Sequence, residues 1–356
     1  MSLMDDLDMD WDNFCNNETT PMNNTPLSHF DTIDENYVPK SSNIYISTKT
    51  KISYLSQPID LKKTFWKLII SPYHTVDECI IKKQMKFNSS CEAELEEIDD
   101  HLKKEKYWEE HIITRIVNPD GRIKFKDIRK ISVGLCKKDI LSYRTKKKSA
   151  FYNCFVVILR VLHEGVYREI HVKVFNTGKL EIPGIQTDEL LNKVLSLLIK
   201  HLKPIVDETI SYQEEKNETV LINSNFNCGF FINREKLHDI LKYKYHINSG
   251  YDPCSYPGIQ CKFYYNSETK EQTGQQPADY DPKLYNKISF MIFRTGSVLI
   301  VGKCDEDVLN EVYIFIKQLL SDEYKSIYGN VQVNHADKKN EIKKRKIRKK
   351  TLSIED

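Results

Sequence analysis

In the middle of the chain, short runs of alternating apolar and polar residues are followed by longer stretches with helical spacing. Strict alternation predicts strands with one buried face, and apolar residues three and four positions apart predict amphipathic helices. Residues 171–202 show both patterns in turn: a strand, a glycine-containing turn, a second strand and a helix. This segment therefore predicts a β-hairpin followed by a helix.

The same pattern occurs again at residues 289–320, and the two segments align without a gap. Chance would make about two of the aligned positions identical. The identical pairs are Phe175/Phe293, Thr177/Thr295, Gly178/Gly296, Gly184/Gly302, Leu191/Leu309, Asn192/Asn310, Val194/Val312 and Leu202/Leu320. The chain therefore contains two copies of one structural unit.

A further strand and helix precede each hairpin. In the first copy they are residues 44–55 and 59–70, and in the second copy residues 220–231 and 234–245. Thr187 and Asp305 are placed to cap the helices that follow the two hairpins. Antiparallel strands with helices after them predict an α+β fold, in which helices cover one face of the sheet and leave the other face open.

Period-two geometry predicts which side chains share that open face. In the second copy they are Ser289, Met291, Phe293, Leu299 and Val301, and in the first copy His171, Lys173, Phe175, Lys179 and Glu181. Phe175 and Phe293 are expected at equivalent, exposed positions. An open apolar face indicates a binding surface, or a face that another domain or insertion covers.

The net charge of +2 hides a strongly uneven distribution. Residues 1–40 carry nine acids and one lysine, whereas residues 338–356 carry nine bases and three acids. The segment Glu92 to Glu110 holds nine acids and three lysines, so the rest of the chain is basic. A basic body is compatible with a nucleic-acid partner, although the overall charge is close to zero.

Several classes of protein are excluded by the sequence patterns. No apolar stretch is long enough to cross a bilayer, and the nine cysteines form no CxxC pair. None of the common nucleotide, metalloprotease or hydrolase motifs is present, and the ten histidines lack metal-ligand spacing. We therefore predict an intracellular protein with reduced thiols, without catalytic residues, metal, cofactor, membrane contact or small-molecule substrate.

The repeats resemble a known family. The duplicated hairpin, with FNTGKLEIPG in one copy and FRTGSVLIVG in the other, and the segment YDPCSYPGIQCKFYY resemble the saddle of the TATA-box-binding protein (TBP). The closer resemblance, through KKKSAFYNCFVVILR and HVKVFNTGKLEIPGIQ, is to the TBP-like transcription factors of nucleocytoplasmic large DNA viruses. It covers roughly residues 44–322 and implies two pseudo-symmetric repeats that form a curved antiparallel sheet with helices on the convex face.

The resemblance also implies a function and candidate residues for it. Proteins of this family insert apolar side chains between base steps in the minor groove and bend the duplex by about 80°. Phe175, Phe293 and Tyr256 match three of the inserted positions, and Cys154 falls at the fourth. A shift in register would place Phe151 or Tyr152 at this fourth position instead of Cys154. Residues 79–87 are an alternative candidate for the strand that carries the position.

Other positions match groove or phosphate contacts of the family. Arg160, Lys179 and Lys262 match basic positions near the DNA backbone, and Asn223 or Asn225 matches a groove-facing asparagine. Four positions depart from the family's groove-facing Val and Thr: Glu181, Pro183, Leu299 and Val301. Because Glu181 could accept from the guanine amino group, we expect the A·T preference to be relaxed on the first repeat's side.

The expected organisation has four parts. Residues 1–40 form an acidic disordered tail, and 41–205 form the first repeat with an acidic insertion at about 88–130, including a hairpin through Asn118 to Gly121. Residues 206–325 form the second repeat with a polar loop at about 266–287, and 326–356 form a basic tail. The insertions are either surface elaborations or docking surfaces for a virus-specific transcription subunit.

The leading hypothesis is a general transcription initiation factor that binds and bends A·T-rich promoter DNA and recruits a TFIIB-like factor and RNA polymerase subunits. The alternative keeps the fold but not the DNA: a protein-interaction scaffold of a viral transcription complex. An attached nuclease or glycosylase would need a carboxylate cluster on another domain, for which the chain has no room. The expected location is the host nucleus, a cytoplasmic viral factory or the virion.

Overall fold

The computed structural model of the chain describes residues 38–141 and 152–329. They form two compact units, an N-terminal unit within residues 48–220 and a C-terminal unit made of residues 38–47 and 221–329. The described residues do not include the acidic tail up to residue 37, Phe151 or the basic tail from residue 330 onward. The predictions made for those segments therefore stay predictions.

The N-terminal unit is built on an antiparallel sheet. Its strands are β1 (Tyr45–Tyr54, from residue 48 on), β2 (Cys79–Ser89), β3 (Trp108–Val117), β4 (Phe125–Gly134), β5 (Cys154–His163), β6 (Val166–Phe175) and β7 (Lys179–Ile185). The spatial order is β3-β4-β2-β5-β6-β7-β1. Each strand pair with a recorded register is antiparallel.

Helices cover one face of this sheet. They are α1 (Leu61–Lys67), α2 (Glu92–Leu102) and α4 (Asp188–Leu202), while the short α3 (Lys137–Leu141) follows β4. The apolar side of α4 packs on alternate residues of β5, β6 and β7, including Val157, Val172 and Ile182. Thr187 caps α4 by accepting from the Leu190 backbone N–H, as the sequence predicts.

The acidic insertion contributes α2, β3 and β4 to the N-terminal unit. Leu95, Ile98 and Leu102 of α2 are part of the unit's core. The insertion is also held by Lys83, a fully buried lysine of β2 whose ammonium lies 2.8 Å from the Glu105 carboxylate. The predicted hairpin is confirmed, since β3 and β4 pair on either side of the turn that begins at Asn118.

The strands of the C-terminal unit are also antiparallel. Its strands are β8 (Glu218–Asn227), β9 (Asn248–Gly250), β10 (Ile259–Asn266), β11 (Tyr285–Ile292) and β12 (Ser297–Gly302), in the order β8-β12-β11-β10-β9. The helices α5 (Arg234–Asp239), extended by a π-helical turn Ile240–Lys244, α6 (Glu306–Asp322) and α7 (Tyr324–Ile327) belong to this unit. Asp305 caps α6 through the Val308 N–H.

The predicted repeat is confirmed by topology. The order β1-β7-β6-β5-β2 in one unit matches β8-β12-β11-β10-β9 in the other, so β5 corresponds to β10. Residues 79–87 belong to β2, which corresponds to β9, and this removes them as a rival for the β5 position. In each unit helices pack on one face of the antiparallel sheet, so the predicted α+β class is also confirmed.

The two hairpin turns repeat in detail. The Phe175 carbonyl accepts from the Gly178 N–H at 2.9 Å, and the Phe293 carbonyl accepts from the Gly296 N–H at 3.0 Å. Gly178 has φ +84° and Gly296 has φ +81°, a conformation that favours glycine. The same turn therefore fixes the backbone at the end of the strand that carries each phenylalanine.

Candidate nucleic-acid interface

The candidate site is the sheet face opposite the helices, called the open face below. In the C-terminal unit, Phe290, Ile292, Val298 and Ile300 pack into the helix-side core, as predicted. The alternating residues Met291, Phe293, Leu299 and Val301 form a separate apolar cluster together with Leu221 and Tyr256. The open face of this unit thus carries an apolar strip along β11 and β12.

Phe293 and Tyr256 form an aromatic pair on this strip. Their ring centroids lie 6.0 Å apart at an interplanar angle of 56°, and the Tyr256 hydroxyl lies 3.3 Å from the Met291 sulfur. Gly258 leaves room for both rings, since a Cβ there would lie 2.9 Å from Phe293 and 3.2 Å from Tyr256. Phe293 is only 9% exposed, so the expectation of an exposed side chain is wrong: Phe293 is packed against its neighbours on the strip.

A row of asparagines borders the strip on β8. Asn223 is opposite Val301 and Asn225 opposite Leu299 in the strand register, so both predicted asparagines lie on the open face. The Asn225 amide donates to the Ser47 hydroxyl at 2.7 Å. The Asn223 Oδ1 is buried and accepts no hydrogen bond from the part of the chain that the structure describes. Since a buried amide oxygen without a partner is costly, Asn223 is the better candidate for a ligand contact.

Lys262 borders the strip on the other side. It lies opposite Ser289 on β11, and its ammonium donates to the Ser289 hydroxyl at 2.7 Å. Partial burial, with a smaller contribution from Lys287, lowers the pKa of Lys262. The hydrogen bond to Ser289 places the Lys262 ammonium at the edge of the apolar strip, and the lowered pKa means that burial disfavours its charge there.

The N-terminal unit has a different open face near β7. Glu181 lies opposite Lys173, and the Lys173 ammonium is 2.6 Å from the Glu181 carboxylate. Lys179 places its ammonium 5.8 Å from the centroid of the half-buried Phe175 ring. The Glu181 carboxylate is therefore neutralised within the sheet, and Pro183 follows two residues later on the same side of β7.

Cys154 lies opposite Phe175 in the strand register and is 4% exposed. Burial raises the pKa of its thiol to about 11, so the thiol stays protonated at neutral pH. Tyr152, two residues earlier, is 58% exposed, and the Lys86 ammonium lies 3.5 Å from its ring centroid. The strand registers of the two units make Tyr152, not Cys154, the equivalent of Tyr256.

The outer part of the N-terminal open face is covered by two segments, residues 71–78 and 135–141, called the cover below. Tyr73 and Cys136 pack on an apolar cluster that includes Ile81 and Ile158. Asp139 binds the Lys82 ammonium at 2.7 Å, the Tyr167 hydroxyl donates to the Val76 carbonyl at 2.8 Å, and Glu169 accepts from the Lys137 N–H. The open face is therefore exposed less on this unit than the strand pattern predicts.

Arg160 belongs to this covered region. Its guanidinium lies over the Tyr73 ring, 4.6 Å from the centroid, and donates to the Thr75 carbonyl. The side chain is 8% exposed. The expectation that Arg160 contacts the DNA backbone does not fit this position, because the guanidinium already binds the cover.

The cover also changes the chemistry of His171. Its position on the open face, opposite Ile158, is the predicted one. Burial, with smaller contributions from Lys138 and Lys82, lowers the pKa of His171 to about 4. The imidazole is therefore neutral at physiological pH.

Sequence reasoning missed the Lys173–Glu181 ion pair and the cover. Lys173 and Glu181 were both assigned to the open face, but their cross-strand register could not be read from the pattern alone. Within the described ranges 38–141 and 152–329, no group of acidic, histidine and cysteine residues is arranged to hold a metal. In the same ranges, no helix has the length and hydropathy to cross a membrane.

The fold and the open face define the class: an α+β protein of two similar units with a candidate nucleic-acid interface. No protein-family model matches the chain. A TATA-box-binding protein-like protein of Acanthamoeba polyphaga mimivirus is 30% identical over 217 residues, which are 53% of this chain and 54% of that protein. The chain thus matches about half the length of this curated relative, and the resemblance seen in the sequence is confirmed.

A solved structure also matches. The TBP of Methanococcus jannaschii has a TM-score of 0.39 and 14% sequence identity, with 79% of this chain and 99% of the other covered.

Proposed function

We propose that this protein is a TBP-like transcription initiation factor that binds and bends promoter DNA through the minor groove. The observation that carries the proposal is the packed aromatic pair of Tyr256 and Phe293 on a helix-free sheet face. The name of the mimivirus relative supports the same function. No catalytic step is part of this proposal.

The C-terminal unit supplies the strongest contacts in this proposal. Phe293 and Tyr256 insert between base steps, and the apolar strip of Met291, Leu299 and Val301 packs on the floor of the groove. Unstacking a base step costs a few kcal/mol, which is offset because a bent duplex covers more of the protein surface. Packing of the rings against each other before binding keeps them ordered and lowers the entropic cost.

Contacts to base edges come from the asparagine row. The Asn223 amide can present its oxygen to the guanine amino group or, after rotation of the amide, its NH₂ to the acceptors of A·T pairs. Lys262 contacts a phosphate at the rim, where its charge adds affinity without sequence preference.

The N-terminal unit contributes less to bending in this proposal. Its contacts come from Phe175 and Lys179 near β7 and from Tyr152 in place of Cys154. Lys173 neutralises Glu181, so the carboxylate repels phosphates less than an unpaired acid and still offers an acceptor to guanine. We infer that the A·T preference is weaker on the side of the duplex that this unit contacts.

Recruitment of a TFIIB-like factor and RNA polymerase subunits belongs to the same proposal, as does action in a host nucleus or viral factory. The helix faces opposite the open faces are the surfaces available for such partners. The acidic insertion that adds α2 and the β3–β4 hairpin is a further surface of this kind.

A second candidate function is a protein-interaction scaffold that does not bind DNA. It is favoured by the cover, which removes Arg160 and the outer strands of one open face from contact with a duplex. In that case a protein segment, not DNA, occupies the apolar strip.

Duplex binding at several salt concentrations separates the two functions. Matched A·T-rich and G·C-rich duplexes are titrated with the full chain, and affinity is followed by gel shift. We expect tighter binding to the A·T-rich duplex and a linear fall of log K with log salt, with a slope of about −0.9 for each phosphate neutralised. Absence of salt-dependent affinity for either duplex would support the scaffold.

A further inference from the structure

Strand β3 is the outermost strand of the N-terminal sheet. It pairs with β4 on one side, and no strand of the described residues pairs with it on the other. It is ten residues long and contains neither Pro nor Lys, two residue types that commonly block such edges. Trp108, Ile112 and Val117 are 47%, 41% and 55% exposed. The edge therefore offers backbone groups and apolar side chains to another strand.

A bulge determines which side chains of β3 share a face. Ile112 is opposite Arg129 and Thr114 is opposite Ile128, so Ile113 is the extra residue. On each side of this bulge, every second residue of β3 lies opposite every second residue of β4. The alternate residues of β4 with odd numbers lie opposite Trp108, Glu110, Ile112, Arg115 and Val117. Because alternate residues of β4 face the same side, these five side chains form one row.

Two copies of this row are complementary to each other when their strands run antiparallel. In an antiparallel pair of two β3 strands centred between Ile112 and Ile113, Trp108 is opposite Val117 of the second copy. In the same pair, Glu110 is opposite Arg115 of the second copy. Opposite charges and aromatic–β-branched pairs both stabilise neighbouring strands when they lie directly across from each other. Each favourable pair occurs twice in a symmetric dimer.

The described contacts hold the acidic member of the row in place. Arg129 donates to the Glu110 carboxylate at 2.8 Å and also to Asp127, which is fully buried. The Glu110 carboxylate is thus fixed on this face before any partner arrives. A fixed charge loses less side-chain entropy when it pairs than a mobile one.

We propose that β3 pairs antiparallel with β3 of a second copy of this chain, so that the acidic insertion is a homodimerisation element. The second copy is favoured over another strand-bearing partner because Glu110 and Arg115 sit at symmetric positions about the centre of the strand. A partner strand with one type of charge would be repelled at one of the two positions. The edge of a ten-residue strand is a small interface, so dimers form at micromolar concentrations.

Sedimentation equilibrium of the full chain without DNA tests this, over about 1–100 μM. We expect a monomer–dimer equilibrium. Ile112→Lys should weaken self-association by at least about tenfold, because a lysine at a sheet edge disfavours further pairing. Ile69→Lys is the matched control, since Ile69 is 80% exposed and lies outside β3, and it should leave the equilibrium unchanged. A monomeric wild type overturns the proposal, and so does a dimer that Ile112→Lys leaves intact.

Charge exchange tests the register. Arg115→Glu places two acids opposite each other, and Glu110→Lys places two bases opposite each other, so each variant alone should be monomeric. An equimolar mixture of the two should form heterodimers again. Thermal unfolding checks each variant, because Glu110→Lys also breaks the bond to Arg129. If Glu110→Lys does not fold, Arg115→Glu and Ile112→Lys decide the question. Dimerisation of Arg115→Glu alone, at wild-type strength, contradicts the register.

Discussion

The Tyr256 ring packs against the Phe293 ring on the open face of the C-terminal unit, with 6.0 Å between their centroids. In the N-terminal unit, the strand registers place Tyr152, not Cys154, at the position equivalent to Tyr256, and the Lys86 ammonium lies over the Tyr152 ring. The two similar units therefore hold a tyrosine ring at this position in different surroundings, against Phe293 in one and against Lys86 in the other. In the proposed function this difference assigns most of the bending to the C-terminal unit.

The Lys173–Glu181 pair leads to a prediction about affinity. Glu181→Gln should raise the affinity for A·T-rich DNA by up to about tenfold, because it removes a carboxylate near the phosphates. Fluorescence anisotropy with a labelled duplex measures the effect. Glu208→Gln, an exposed acid outside the sheet, makes the same change in net charge and should have a much smaller effect. Equal effects of the two substitutions would contradict a groove position for Glu181.

Arg160 and Lys262 should differ in their contribution to salt dependence. Lys262→Gln should reduce the magnitude of the slope of log K against log salt by about one, as expected for the loss of a phosphate contact. Arg160→Gln should leave the slope unchanged, because its guanidinium binds Thr75 and Tyr73 of the cover. Arg160→Gln should instead lower the free energy of unfolding by about 1–3 kcal/mol, measured by urea denaturation. A change of slope with Arg160→Gln would show that the cover opens when DNA binds.

His171 should make stability depend on pH. Its pKa in the folded protein is about 4, below the ordinary value of 6.5. The unfolded chain therefore takes up a proton first as the pH falls. The contribution of His171 to the free energy of unfolding is complete above about pH 6.5. It is lost progressively towards pH 4, by up to about 3 kcal/mol.

Urea denaturation of the wild type and of His171→Gln, at pH 7 and pH 4.5, measures this contribution. The difference between the two proteins should change with pH, while the carboxylates common to both cancel. An NMR titration that gives His171 an ordinary pKa would show that the cover does not bury it.

The hairpin turn between β11 and β12 should not tolerate a side chain at Gly296. At Gly296 a Cβ would lie 2.3 Å from the Phe230 carbonyl oxygen. Gly165 also has a positive φ, but a Cβ there would meet nothing within 4 Å. Both alanine variants carry similar backbone strain, so Gly296→Ala should cost about 2 kcal/mol more than Gly165→Ala in urea denaturation. Similar costs would mean that the turn shifts to accept the methyl group.

Much of the fold could be predicted from the sequence because the signals were local. The two hairpins, their helix caps at Thr187 and Asp305 and the alternation along β11 and β12 depend on residues close together in the chain. Asn223 or Asn225 was assigned from the family resemblance instead, and the strand register places both on the open face.

The cover and the ion pair could not be predicted in this way. Arg160 and Thr75 are 85 residues apart, and nothing in either local pattern links them. The bond between Lys173 and Glu181 depends on the register of β6 and β7, which a shift of two residues would change without altering the predicted faces. The exposure of Phe293 was overestimated because period-two geometry gives the side of the sheet but not what packs beside a residue on that side.

DNA bending by the C-terminal aromatic pair is the most direct test of the proposed function. An A·T-rich duplex carrying a donor and an acceptor dye at its ends is titrated with the wild type and with the double variant Tyr256→Ala, Phe293→Ala. Tyr243→Ala is the control, since Tyr243 is 67% exposed and lies outside the strip. Energy transfer should rise when the wild type or the control binds, and should stay near the value of free DNA at saturation with the folded double variant. Equal transfer with the wild type and the double variant, or none with the wild type, would contradict the account.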